Sequence, residues 1–345
     1  MDAVTGQARA FREYFDRWGW MGEDRAVWRD PRARDIGGPE GFDPADDDVL
    51  LVHYSAYAPR LRPLLGRPNP KLLVHHNVTP ARWLWTYDAL LAVQCEVGRA
   101  QLGEWARGVD LACGVSEYNT GELREAGARR VEVLPLLVDP GKLGAAAPAT
   151  AVEPGGPPTL LFVGRLVPHK RHDELIRTLA LLRAGGGRDR FPDVRLVCVG
   201  EPLSESYRRS LVRLGEELAP GAITWESGLS GGELADRYRS AHAFLCLSEH
   251  EGFCIPLLEA FHFGLPVVAR AAGAVPEVAG EAALLLGSED DALVAAEAAS
   301  VVLADAGLRE ELRAHGRRRL EAYRPEDTAR ALRAAVESVT RRSDR

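Results

Sequence analysis

The chain has 345 residues, 46% of them apolar, with 43 basic against 50 acidic side chains and a formal net charge of −7. That length exceeds one ordinary core and points to two domains; the apolar content excludes a disordered or collagen-like chain, and the mild acidity leaves no basic field for nucleic-acid phosphates. No run reaches the roughly 18 apolar residues of a membrane span, and the opening residues lack the basic and apolar regions of a secretory signal. Five cysteines with no C-x-x-C pair suit a reducing compartment such as the cytoplasm.

The spacing predicts a first helix over 5–18, with no apolar strand before it. A doubly wound domain normally opens on a strand that becomes central in its sheet. This start therefore predicts a missing N-terminal strand, a gap between neighbours in the sheet, and a natural beginning upstream. Phe11, Tyr14, Phe15, Trp18 and Trp20, with Trp83 and Trp85 further on, offer either an acceptor-facing or membrane-facing surface or, for the subset at helical spacing, core packing; the spacing favours core. Asp46-Asp47-Asp48 contains an Asp-x-Asp pattern of a kind that can hold a metal. It precedes the strand starting at Val49, at the wrong end of a parallel sheet, and reads as a solvated turn.

Buried strands are expected at 49–53, 71–75, 111–115 and 131–134, and a long helix over 81–105 with Thr79 as N-cap and Pro80 at its first position. The stretch 141–158, crowded with Ala, Gly and Pro, reads as a linker. Beyond it, apolar runs at 160–163, 196–199, 243–247, 266–269 and 283–286 alternate with amphipathic stretches: Leu175, Leu179 and Leu182 share one helical face, and 235–239 reads as another helix. This is the pattern of repeated βαβ units around a parallel sheet. The domains are accordingly 1–140, a linker 141–158, 159–324, and a helix over 325–345 that packs back on the first domain. No Gly-x-Gly-x-x-Gly follows a strand, which weakens a dinucleotide oxidoreductase.

Two segments carry chemistry. In Glu251-Gly252-Phe253-Cys254-Ile255-Pro256-Leu257-Leu258-Glu259, two carboxylates stand with seven residues between them just after the run ending at Leu247. Gly252 permits close backbone approach, Pro256 suits a helix start, and Gly264 marks that helix's end. Free N–H groups at such a start favour a phosphate, and Glu259, placed in the first turn, can accept two hydrogen bonds from a ribose diol. The bland alternative is an ordinary helix with a solvated acid at either end. In Val163-Gly164-Arg165-Leu166-Val167-Pro168-His169-Lys170, a buried strand ends in glycine and two cations follow five positions apart. Arg165 can fork two phosphoryl oxygens and Lys170 can add a mobile charge, neutralising a diphosphate without Mg²⁺. The chain has only three lysines, Lys71, Lys142 and Lys170, so this one is unlike surface filler.

These two segments resemble the C-terminal signature of glycosyltransferase family 4, the retaining enzymes of the GT-B fold. Ser227-Gly228-Leu229-Ser230 with Glu233, Leu234 and Tyr238 is similar to the family's base-binding turn and its following helix. His76-Asn77-Val78-Thr79-Pro80, Ser116 to Asn119 and Pro135 to Asp139 are similar to a bacterial subgroup, whereas residues 1–48 match weakly. Cys254 stands where many members carry glycine. The resemblance implies two Rossmann-like doubly wound parallel-sheet domains facing across a cleft, and a metal-independent enzyme without a cofactor that moves a hexose from a nucleotide diphosphate sugar to a hydroxyl acceptor. Arg165 and Lys170 would hold the diphosphate, with Gly228 and Leu229 at the base and Glu259 on the ribose. Glu251 with the backbone of Gly252, Phe253 and Cys254 would orient the sugar, and His76 would lie near it. The donor is a GDP-, UDP- or dTDP-sugar, with the base left open; the subgroup points to mannose from GDP-mannose, and to polysaccharide, glycolipid or natural-product glycosides as products. The expected location is the cytoplasm, with peripheral contact at the inner membrane face as a further option. A nucleotide-sugar epimerase or hydrolase, or a non-catalytic donor-binding subunit, fits the same donor residues.

Overall fold

The computed structural model describes residues 3–27, 36–146, 157–185 and 191–343. They form two compact units, Met1–Leu137 with Tyr323–Arg345, and Val138–Ala322.

The first unit opens on α1 (Ala3–Arg17) and carries four parallel strands, β1 (Leu50–Tyr54), β2 (Lys71–His75), β3 (Leu111–Gly114) and β4 (Val131–Val133), hydrogen-bonded in that order. Leu72, Leu73, Val74, Leu111, Ala112 and Cys113 are fully buried, as unbroken apolar runs in a sheet covered on both faces should be. Among the described residues the expected gap between neighbours is absent: each strand pairs directly with the next, and β1 and β4 are the two edges.

The single helix expected over 81–105 is also corrected. Pro80 is extended, at ψ 130°, and only a 3-10 turn follows over Ala81–Trp83. Helix α2 starts later, at Ala89–Gly108, because Asp88 and not Thr79 caps it, accepting the Leu91 N–H at 2.9 Å. Ser116 caps α3 (Glu117–Glu125) in the same way.

The second unit alternates strand and helix as far as α9 and then adds a further helix: β5 (Thr159–Val163), α4 (His172–Ala184), β6 (Arg195–Val199), α5 (Glu205–Leu218), β7 (Ile223–Glu226), α6 (Gly231–Ser240), β8 (Ala243–Cys246), α7 (Ile255–His262), β9 (Val267–Arg270), α8 (Val275–Ala279), β10 (Ala283–Leu286), α9 (Ala292–Ala304) and α10 (Ala306–Leu320). All six strands are parallel, in the order β10-β9-β8-β5-β6-β7. Leu175, Leu179 and Leu182 of α4 share one core with Ala295, Ala299 and Val302 of α9 and with Leu160, Leu196 and Leu245 of the strands. Burial of each such leucine is worth about 1.5–3 kcal/mol.

The chain winds outward from β5 through β6 to β7, then returns to β8 on β5's other side and winds the opposite way. Loops leaving β5 and β8 therefore diverge, and a crevice opens between them at the C-terminal ends of the strands. Of the expected linker, a 3-10 turn spans Pro140–Leu143, and residues 147–156 lie outside the described set. Among the described residues, no helix is long and apolar enough to cross a membrane.

The chain returns to the first unit with α11 (Pro325–Ser343), which lies against β2. Its Arg333 guanidinium sits over Trp18 and Trp20, 5.6 and 5.9 Å from the ring centres. Phe11 is core, packed on His53 at 5.2 Å, whereas Trp85 is half exposed.

Candidate active site

The crevice between β5 and β8 is built first by glycines. A Cβ on Gly200, at the end of β6, would collide with the Gly164 carbonyl oxygen, so only glycine lets these two strand ends approach. Gly164 then turns the chain at φ 156°, and Arg165 projects as an exposed side chain with no ion pair or hydrogen bond among the described residues. Leu166 and Val167 are buried, anchoring the loop. A 3-10 turn, Pro168–Lys170, next brings Lys170 back inward.

Lys170 meets Glu251. Its Nζ donates to Glu251 Oε1 at 2.5 Å, and both side chains are largely buried. Burial is the largest influence and works against the ammonium, but the charges of Glu251, Cys254 and Cys246 and the hydrogen bond to Glu251 together outweigh it and hold Lys170 above the usual lysine range. The two loops are also strapped through their backbones, the Glu249 N–H donating to the His169 carbonyl at 2.8 Å. The second signature thus reaches the first at a defined contact.

The left-handed residue of the turn after Glu251 is Cys254, at φ 77° and ψ 65°. A position where glycine would be unstrained holds a buried cysteine, which caps α7 through its backbone alone. Helix α7 then runs to His262, and Gly264 closes it at φ 66°, its N–H donating to the Phe261 carbonyl. Cys254 Sγ lies 3.9 Å from Cys246 Sγ, at the end of β8. The S–H···S contact with Cys246, then burial, push the Cys254 thiol well up.

Glu259 is the fifth residue of α7, in its second turn and not its first. Its Oε2 accepts the Tyr238 hydroxyl at 2.6 Å, and burial raises its carboxyl above the ordinary value against the effect of that hydrogen bond. Tyr238 is fully buried and stacked on Phe263, with ring centres 5.3 Å apart. It belongs to α6, whose start is a capping box between Ser230 and Glu233. Just before that box, Gly228 turns at φ 69°, exposed, and Leu229 is half buried. One helix therefore joins the glycine turn after β7 to the acid of α7.

Other supporting residues escaped the sequence reading because their partners come from separate elements. Arg270, at the end of β9, forks Glu174 of α4 at 2.5 and 2.9 Å, with both side chains buried, and donates to the Leu247 carbonyl at 3.2 Å. Arg171 pairs with Glu174 and Glu249. This ionic frame braces residues 247–249 from below. A Cβ on Gly273, at φ 57°, would strike the Glu251 carbonyl oxygen, which instead accepts the Ala274 N–H at 2.9 Å.

His76 belongs to the first unit, directly after β2. Its Nε2 is 2.8 Å from His53 Nδ1, and burial lowers both rings, His53 to about 4 and His76 well below the imidazole range, so both are neutral at pH 7. Its neighbour His75 meets Glu122 at 2.9 Å, and Asn77 takes a left-handed φ of 77°.

Residues 146–319 match the family model described as Glycosyl transferases group 1, half of the chain. The chain belongs to that family. Relatives within it include the GDP-mannose-dependent alpha-mannosyltransferase of Mycolicibacterium smegmatis, 31% identical over 253 residues, covering 70% of this chain and 60% of that one. The D-inositol 3-phosphate glycosyltransferase of Actinosynnema mirum is 35% identical over 164 residues, covering 45% and 38%. The chain thus spans less than two thirds of these relatives' length. Among solved structures, a sucrose-phosphate synthase from Thermosynechococcus elongatus aligns with a TM-score of 0.66 at 20% identity, covering 96% of this chain and 76% of that one. An alpha,alpha-trehalose 6-phosphate synthase from Burkholderia multivorans gives 0.64 at 18% identity, covering 87% and 72%. The fold of this group 1 member is therefore GT-B, with two parallel-sheet α/β units.

Proposed function

We propose that this protein is a retaining, metal-independent glycosyltransferase that moves a hexose, mannose from GDP-mannose by the name of its relatives, onto a hydroxyl acceptor. The observation that carries this reading is the meeting of Lys170 with Glu251 at the switch point of a parallel sheet, in the loop that also carries the exposed Arg165. Breaking the bond from sugar to phosphate builds negative charge on the departing diphosphate. Arg165, Lys170 and the N–H groups opening α7 stabilise that charge more than they stabilise the intact donor, which is what accelerates the step. Glu259, steadied by Tyr238, takes the ribose; the turn at Gly228 and Leu229 takes the base; Glu251 with the backbone of 252–254 orients the sugar.

The five cysteines are buried and unpaired, and the reading places the protein with its donor in the cytoplasm, with peripheral contact at the inner membrane face where the acceptor is a lipid. A thermal-shift panel of nucleotide diphosphates and sugar nucleotides tests donor binding: a ligand at a hundredfold excess over its Kd stabilises by about 2.7 kcal/mol. Product analysis with and without acceptor separates transfer from hydrolysis or epimerisation. Transfer is expected to persist in a chelator, and abolition restored by Mg²⁺ or Mn²⁺ would reject the metal-free mechanism.

A further inference from the structure

Two sulphurs, one at the end of β8 and one in the turn that opens α7, have no part in the donor contacts proposed above. Cys246 Sγ and Cys254 Sγ, both buried, stand 3.9 Å apart, and with a carboxylate oxygen of Glu251 they form three donor atoms all within 4.8 Å of one another. Two cysteine sulphurs at zinc–sulphur distance in a tetrahedral site lie about 3.8 Å apart. The pair already has the length of one edge of that tetrahedron.

Charge supports the same occupant. A dication with two thiolates and one carboxylate sums to one negative charge, and the Lys170 ammonium, 2.5 Å from Glu251 Oε1, brings the cluster to zero. A buried cluster has to be close to neutral, since an uncompensated charge there is costly. The softness of two sulphurs selects the zinc class over Mg²⁺ or Ca²⁺, which prefer oxygen.

We propose that Cys246, Glu251 and Cys254 form a site for one soft divalent cation of the zinc class, and that its occupation disables the turn for a nucleotide diphosphate. Binding exchanges two thiol protons for the metal and releases them to solvent. Coordination withdraws Glu251 and fixes the backbone at Cys254. This inhibitory half rests on the donor reading above; the metal site itself does not.

The full chain, freed of metal by a chelator, is titrated with Co²⁺. One equivalent is expected to bind with sulphur-to-cobalt charge-transfer absorption, and Zn²⁺ to abolish that absorption. Cys246→Ala should lose it, and so should Cys254→Gly, in which glycine suits the left-handed backbone and preserves the fold. Absence of the band in the native protein, or its survival in Cys246→Ala, overturns the site. Calorimetry with GDP and UDP, with and without one equivalent of Zn²⁺, is expected to show at least about tenfold weaker binding in the metal-loaded protein. In Cys246→Ala the two affinities should be equal. Nucleotide binding indifferent to bound metal overturns the inhibitory half. A metal-free protein that binds no nucleotide sinks the donor reading and leaves the metal site standing.

Discussion

The Tyr238 hydroxyl donates a 2.6 Å hydrogen bond to Glu259 Oε2, so a buried aromatic residue of α6 sets the orientation of the acid in α7. Burial raises the Glu259 carboxyl above its ordinary value. The folded state thus holds that proton more tightly than the unfolded chain. The resulting stabilisation is full below the ordinary carboxylate range and is lost as pH rises through the folded value. Once ionised, the buried acid is a burden that ribose binding exploits. Glu259→Gln keeps an acceptor for Tyr238 and removes the charge. It is expected to melt higher than the native protein at pH 7, with the difference vanishing near pH 4, and to bind nucleotide about 10- to 100-fold more weakly, the scale of a hydrogen bond to a charged acceptor. A variant that melts lower at pH 7 and binds normally would overturn both assignments.

The Lys170–Glu251 pair separates stability from catalysis. Removing one partner leaves an uncompensated buried charge, at a cost of about 3–5 kcal/mol. Lys170→Ala should therefore unfold at clearly lower denaturant, whereas the double variant Lys170→Met, Glu251→Gln should recover most of the loss. Activity should not recover: each variant is expected to fall by about 10² or more, as is Glu259→Ala. Denaturant titration beside steady-state rates reads both. If activity in the double variant returned along with stability, the pair would be structural only.

Cys254 makes a case for backbone strain. A left-handed conformation costs a non-glycine residue about 1–2 kcal/mol, while glycine loses about 0.4–1 kcal/mol through the greater freedom of the unfolded chain. Cys254→Ala discards the sulphur and keeps the strain; Cys254→Gly discards both. Glycine is expected to be the more stable of the two by about 1 kcal/mol, the reverse of the order inside a helix. Chemical denaturation of the two variants decides it, and alanine outranking glycine would remove the strain from the account.

Nine of the ten strands among the described residues were legible in the sequence, most of them because parallel strands covered on both faces need apolar runs, as 72–74 and 243–246 show. The tenth, β7, reads Ile-Thr-Trp-Glu at a sheet edge and offers no such run. The helix expected over 81–105 starts instead at Ala89, because Thr79-Pro80 imitates a cap that Asp88 supplies nine residues later. In the site, both signatures could be read as motifs, but neither spacing nor composition shows that Lys170 touches Glu251 or that Tyr238 touches Glu259. The Arg270–Glu174 frame and the Cys246–Cys254 pair join residues 96 and 8 positions apart, and only the fold brings them together.

His53 offers a test of the first unit by pH. Its ring lies against Phe11 at 5.2 Å and His76 at 5.0 Å, and burial lowers it to about 4, with Asp24 acting in the opposite sense. The folded state then binds fewer protons than the unfolded chain between about pH 4 and the ordinary imidazole value near 6.5. Its contribution to stability is full above that window and is lost as pH falls through it. The melting temperature of the native protein should accordingly drop on acidification from pH 7 to 4.5. His53→Asn, which keeps a hydrogen-bonding partner for His76 and cannot titrate, should show a shallower drop over the same range, with the remainder due to His76 and the carboxylates. Melting curves of the two proteins at half-unit intervals settle the matter; superimposable pH profiles would mean that His53 takes up its proton in the folded state as readily as in the unfolded one.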